Sequence, residues 1–167
     1  MDETGNVPSP NIVVPWRSDQ DVTRLLSREW LVTYGLGGYA SSSLMNVATR
    51  RYHGVFVPDL PSPRGRTIVI PRLDEEAEVG ETRVRLSGAE YADGRLDSDL
   101  PRYLTEFRRD WQTPTWQYEF HGRRLSKRIT MPYGQNSVYV EYRLDVGFTK
   151  LLGLVLADQG KTIRYTR

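Results

Sequence analysis

The chain has 167 residues, 38% of them hydrophobic, with 23 basic and 21 acidic side chains giving a formal charge of +2. Such a length suits one globular domain with a real core, and a balanced charge without a basic stripe argues against nucleic acid as a partner. Cysteine is absent, which excludes disulfides, thiolate metal sites and cysteine catalysis. His53 and His121 stand far apart with no metal-ligand spacing around them, so neither metal nor cofactor is expected.

The start of the chain lacks the basic-then-apolar pattern of a secretory signal, and no stretch approaches the roughly 20 apolar residues of a membrane span. A cytoplasmic location with no membrane partner is the expectation. Residues 1–20 carry Pro8, Pro10 and Pro15 around one short apolar stretch, Ile12 to Val14. They read as a partly ordered tail with one edge strand, ahead of a single domain over 21–167. Residues 21–28 form a short helical segment, with Asp19 or Asp21 as cap and Val22, Leu25 and Leu26 on one side.

From Glu29 onward the period is two. Residues 39–47 and 52–58 read as strands joined near Ala48 to Arg51, 59–65 as a loop, and 67–70 as a short strand. Val79, Val84 and Leu86 mark two strands about a turn at Gly80-Glu81, and 89–101 reads as a long polar loop. The clearest pattern is 115–130: Trp116, Tyr118 and Phe120 alternate with polar residues, His121-Gly122 turns, and Leu125, Ile129 and Met131 continue the alternation, with Lys127 as an exception. Val138, Val140, Tyr142 and Leu144 make another half-buried strand. Short strands at regular spacing predict an all-β fold, an antiparallel β-sandwich. The chain ends in mid-pattern, which predicts a domain truncated from something longer.

Two strings concentrate unusual chemistry. Gly35, Gly37 and Gly38 lie within four residues, but no Lys follows and strand continues after them, so a phosphate loop is a poor reading. A structural glycine corner, with Gly54 as a further close approach, is the better one. Arg50, Arg51, Tyr52 and His53 put two guanidiniums, a phenol and an imidazole at a strand start. With no nucleophile attached, they suit docking or ligand positioning better than catalysis. Glycoside hydrolysis needs two facing carboxyl groups. Glu29, Asp74, Glu75, Glu76, Glu106, Asp110, Glu119 and Glu141 are the candidates, but Asp74 to Glu76 reads as a solvated edge and Glu106 and Asp110 as partners for Arg108 and Arg109. No catalytic residue is assigned.

The order of Glu29-Trp30-Leu31, Gly37-Gly38-Tyr39-Ala40-Ser41, Thr49-Arg50-Arg51-Tyr52-His53-Gly54, Leu73-Asp74-Glu75, Trp116-Gln117-Tyr118-Glu119, Leu125-Ser126-Lys127-Arg128 and Met131-Pro132-Tyr133-Gly134-Gln135-Asn136 resembles the N-terminal domain of bacterial and archaeal glycogen-debranching enzymes. The resemblance spans about Arg28 to Leu144, with Tyr34 standing where an Asn is common. It implies a supersandwich-like domain packed on an (α/α)6 barrel that carries the catalytic acids for α-1,6 branch points, absent from this chain. The implied partners are that barrel and an α-glucan such as glycogen. Arg50, Arg51, Tyr52 and His53 would lie at the face meeting the barrel, with Tyr39 and the glycine corner supporting it. A free-standing carbohydrate-binding module and a purely structural assembly domain are the alternatives.

Overall fold

The structure is a computed structural model that describes residues 11–79, 81–144 and 150–155. Residues 1–10 of the tail predicted over 1–20, the Gly80 half of the predicted turn and the end of the chain from residue 156 lie outside the described residues. The expected edge strand is present as β1 (Ile12–Pro15). The helical segment is a single turn, α1 (Thr23–Leu26), which buries Leu25. Asp21 accepts both the Thr23 N–H (3.0 Å) and its hydroxyl (2.7 Å), closing the turn's start from the side chain.

β2 (Glu29–Thr33) and β3 (Tyr39–Ser43) pair antiparallel across the glycine loop, and β4 (Gly54–Val57) pairs with β3 on the other side. The third strand is shorter than the predicted 39–47. The Ser42 and Ser43 hydroxyls donate to the Val47 carbonyl at 3.2 and 2.7 Å, and Asn46 takes a left-handed φ of 57°, which turns the chain out of the sheet. The predicted loop 59–65 contains the small hairpin β5 (Asp59–Leu60) and β6 (Gly65–Arg66). Residues 67–70 are not a strand. They meet β4 at a single bridge from Phe56 to Ile70, where the Val69 and Ile70 N–H groups both donate to the Phe56 carbonyl.

β7 (Leu73–Val79) and β8 (Thr82–Arg85) form the next hairpin. The polar segment 89–101 is more structured than a loop: it holds β9 (Ala89–Glu90), β10 (Leu96–Asp97) and the start of α2 (Leu100–Tyr103), whose Leu100 is fully buried. Then come β11 (Leu104–Asp110), β12 (Thr113–Phe120), β13 (Arg123–Thr130), β14 (Tyr139–Leu144) and β15 (Lys150–Val155). His121 and Gly122, with φ of 50° and 77°, make the tight turn between β12 and β13 that the sequence predicts.

One sheet has the order β1-β11-β12-β13-β14; two three-stranded sheets have the orders β2-β3-β4 and β15-β7-β8. All pairings between these strands are antiparallel, and the fold is an all-β sandwich. Aromatic contacts fill its interior. Trp30 of β2 meets Trp116 of β12 edge to face at 5.4 Å, and Phe107 of β11 meets the same Trp116 at 5.2 Å. Each buried indole N–H reaches a backbone carbonyl: Trp16 to Pro101, Trp30 to Ser43 and Trp116 to Leu44. The core therefore also fixes the loop that leaves β3.

Lys127 corrects the sequence reading. It does not interrupt the alternation of β13 but continues it, on the buried face between Leu125 and Ile129. Trp116 and Tyr142 stand opposite it on the neighbouring strands, and its ammonium lies 5.2 Å from the Trp116 ring centroid. Its counter-ion is Glu75 of β7, which is also buried. Asp74 and Glu76 are partly exposed, as a solvated edge requires, but Glu75 points inward because a strand sends alternate side chains to opposite faces.

Candidate functional site

Glu29 begins β2 on its solvent face and is the centre of a polar cluster. Arg50 Nε donates to Glu29 Oε1 at 2.9 Å, and the Tyr52 hydroxyl donates to Oε2 at 3.3 Å. Tyr39 sits on the other end of the same face and donates its hydroxyl to the Tyr52 carbonyl at 2.8 Å. The Arg50 hydrogen bond holds the Glu29 carboxyl below the usual carboxylate range, with burial opposing it.

His53 lies beneath this layer, 3% exposed, with its ring edge-on to Tyr52 at 5.2 Å. Its Nδ1 accepts the Thr49 N–H at 3.2 Å, so the neutral ring carries its proton on Nε2. Nε2 faces Glu29 Oε2 at 3.6 Å, beyond hydrogen-bond reach, and has no hydrogen-bond partner among the described residues. Burial pulls the imidazole below its ordinary 6.5, against the attraction of Glu29. A neutral, covered ring whose Nδ1 is occupied by backbone is a structural part of this loop.

The structure brings Tyr39, Arg50, Tyr52 and His53 together and leaves Arg51 out. Arg51 is exposed and makes no ion pair among the described residues. Glu29, read in the sequence only as a candidate carboxylate, is the residue that organises the others. Its signal is its place at the head of the Glu29-Trp30-Leu31 string, where alternation puts it on the face opposite buried Trp30.

The glycine loop lies at the far end of β2, about 14 Å away at the rise of an extended strand. Gly35 and Gly37 take φ of 82° and 88°. A Cβ at Gly35 would overlap the Tyr133 ring and one at Gly38 would overlap the Tyr34 hydroxyl. The loop is locked to the 132–136 turn: Gly134 N–H donates to the Tyr34 carbonyl at 2.7 Å, and the Tyr34 hydroxyl donates to Asn136 Oδ1 at 2.8 Å. Arg66 Nε donates to the Gly37 carbonyl at 2.9 Å. Gly54 opens β4, where a Cβ would press on the Val57 and Ile68 side chains.

Beside Glu29, a groove of about 260 Å³ runs between β1 and the start of β2, walled by Ile12, Val14, Leu44 and Phe107. Arg28 and Arg109 also line it. Among the described residues neither has an ion-pair partner, and Arg109 Nε is buried with no acceptor there. A second cleft, of about 270 Å³, is bordered by β7 and the β9–β10 hairpin. Arg72 pairs with Asp74 and Arg85 with Asp97 inside it, while its Glu75 and Glu76 pair outside it with Lys127 and Arg83.

The other carboxylates weighed for hydrolysis are mostly engaged: Glu75 with Lys127, Glu76 with Arg83, Glu106 with Arg108 and Glu141 with Arg143. The predicted partnership of Glu106 with Arg108 is present at 3.0 Å, whereas Asp110 does not pair with Arg109. No group of three or more His, Asp or Glu among the described residues is placed to hold a metal ion. No helix among them is long and apolar enough to cross a membrane.

An antiparallel β-sandwich with a self-paired polar cluster on one face defines the class of protein. The family described as glycogen debranching enzyme N terminal matches residues 28–156, and the chain belongs to that family. The match runs past Leu144, where the resemblance read from the sequence ends, and takes in β15, which pairs with β7. Comparisons with curated proteins and with solved structures gave no match.

Proposed function

We propose that this chain is the non-catalytic N-terminal domain of a glycogen-debranching glycoside hydrolase. It docks on an (α/α)6 catalytic barrel and helps position an α-glucan, in the cytoplasm where glycogen is turned over. The docking face joins Glu29, Arg50, Tyr52 and half-exposed Leu31 to the groove bordered by Arg28 and Arg109.

One observation carries this reading. Arg109 Nε is buried in a mostly apolar groove with no acceptor among the described residues. A buried charged donor left unpaired costs at least about 1–3 kcal/mol, and a carboxylate from a docked polypeptide would remove that cost while apolar side chains fill the groove. His53, neutral and covered, supports the Arg50–Tyr52 layer instead of offering a base to solvent.

The test is association. A barrel-bearing downstream segment, expressed separately and mixed with this chain, should form a complex by sedimentation. Arg109→Ala or Leu31→Asp should weaken it about tenfold or more, equivalent to about 1.4 kcal/mol. The pure chain should release no glucose from a branched dextrin. Release that disappears when a single carboxylate is changed would overturn the reading.

A further inference from the structure

We propose that the end of the sandwich formed by the glycine loop, the 132–136 turn and the β11–β12 hairpin tip binds pyranose rings, with Tyr133 as the stacking platform and Trp111 as a second one. This rests on the reading that the domain positions an α-glucan, and it names the site.

Tyr133 is 88% exposed, yet its ring is backed by the glycine loop. One side rests on Gly35, where even a methyl group would overlap it, and the turn that carries it is clamped by the Gly134–Tyr34 and Tyr34–Asn136 hydrogen bonds. An aromatic ring backed by glycine and open to solvent loses little freedom when a ligand stacks on it.

Trp111 is 68% exposed and occupies the first position of the two-residue turn between β11 and β12, with φ of 55°. Left-handed backbone favours glycine there, and a bulky residue is strained. Such strain, retained for a solvent-facing indole, points to a contact surface. The hairpin tip is tied to the end of β2 because the Thr33 hydroxyl donates to Gln112 Oε1 at 3.4 Å. That places it beside the loop that Tyr133 covers, with exposed Leu36 in the same loop.

The rim offers two neutral amides, beside the Arg66 guanidinium that is hydrogen-bonded to Gly37. Gln112 and Asn136 each use their amide oxygen as an acceptor, for Thr33 and Tyr34, so each amide nitrogen keeps its donors for a ligand. Exposed aromatic faces for C–H surfaces and amide donors for hydroxyl and ring oxygens are the two halves of sugar recognition.

Electrophoresis in gels containing soluble glycogen, with calorimetry against maltoheptaose, tests this on the whole chain. Tyr133→Ala and Trp111→Gly should each lower affinity about tenfold or more, given the energy a stacked ring supplies, and Tyr133→Phe should keep it. Trp111→Gly should at the same time leave the thermal midpoint unchanged or raised, since it relieves the strained turn. Unchanged glycogen retardation in the Tyr133→Ala/Trp111→Gly double variant would move the sugar site elsewhere while leaving glucan positioning intact. No binding by the parent chain at millimolar maltoheptaose would overturn the site, with docking still judged by its own association test. Loss of barrel association with unchanged sugar affinity would make these rings a protein contact, which also overturns the proposal.

Discussion

Lys127 Nζ lies 2.7 Å from Glu75 Oε2, and this ion pair crosses the sandwich from β13 to β7 with both side chains 1% exposed. The Tyr142 hydroxyl donates to the other carboxylate oxygen, and Glu75 N–H is held by the Ser87 hydroxyl at 3.0 Å. Burial pushes the Glu75 carboxyl up, and Lys127 opposes that shift. A buried pair of this kind is a poor source of net stability but a strong constraint on which residues may face each other.

Removing one partner should therefore be far worse than removing both. Lys127→Met leaves Glu75 buried without its counter-ion and should cost about 3–5 kcal/mol in urea unfolding. The Glu75→Gln/Lys127→Met double variant should recover most of that loss. Additive losses in the double variant would contradict the coupling.

His53 makes stability depend on pH in a stated direction. Its folded value is held below 6.5, so in that window the unfolded chain binds the extra proton. The stabilising contribution is complete above about 6.5 and is lost as pH falls through the lower folded value. The depressed Glu29 carboxyl adds a further loss below its ordinary 4.5. Urea midpoints measured from pH 7.5 down to 5 should decline in the parent chain and decline less steeply in His53→Gln.

The Arg50–Glu29 pair should behave differently from the interior one. Arg50 is 58% exposed at its side chain, and solvent screening leaves a pair in that setting with little net worth. Arg50→Ala should hardly move the unfolding midpoint while weakening association with a catalytic barrel segment. A large stability loss without an effect on association would mark the cluster as purely structural.

Gly35→Ala should be destabilising for two separable reasons. The left-handed backbone penalises any side chain by roughly 1 kcal/mol or more, and the methyl group would overlap the Tyr133 ring. In a Tyr133→Ala background only the first cost should remain, so thermal midpoints of the two single variants and the double separate them.

The all-β fold was legible because period-two alternation records burial directly. Trp116, Tyr118 and Phe120 all point inward as the pattern requires. Lys127 was misread because alternation is usually scored by polarity, and a lysine with an interior partner defeats that scoring. Nothing local to β13 announces that Glu75, on a different sheet, will neutralise it. The short β9–β10 hairpin and α2 were hidden because the polar composition of 89–101 reads as loop, with buried Leu100 and partly buried Leu96 as its apolar anchors. In the candidate site, the Arg50-Tyr52-His53 string was visible, whereas its centre, Glu29, lies more than twenty residues away and meets it only when β2 and β3 pair. Tyr133 and Trp111 carried no sequence signal as a pair, since their proximity arises from loops at one end of separate hairpins.

Of the four tryptophans in the chain, Trp16, Trp30 and Trp116 are at most 4% exposed, while Trp111 stands in solvent. Collisional quenchers such as iodide will therefore reach one indole and spare three. The emission of this protein divides accordingly into an accessible red-shifted component from the hairpin tip and a shielded blue component from the interior. The same cuvette can follow what arrives at the loop end and, independently, whether the sandwich behind it is still intact.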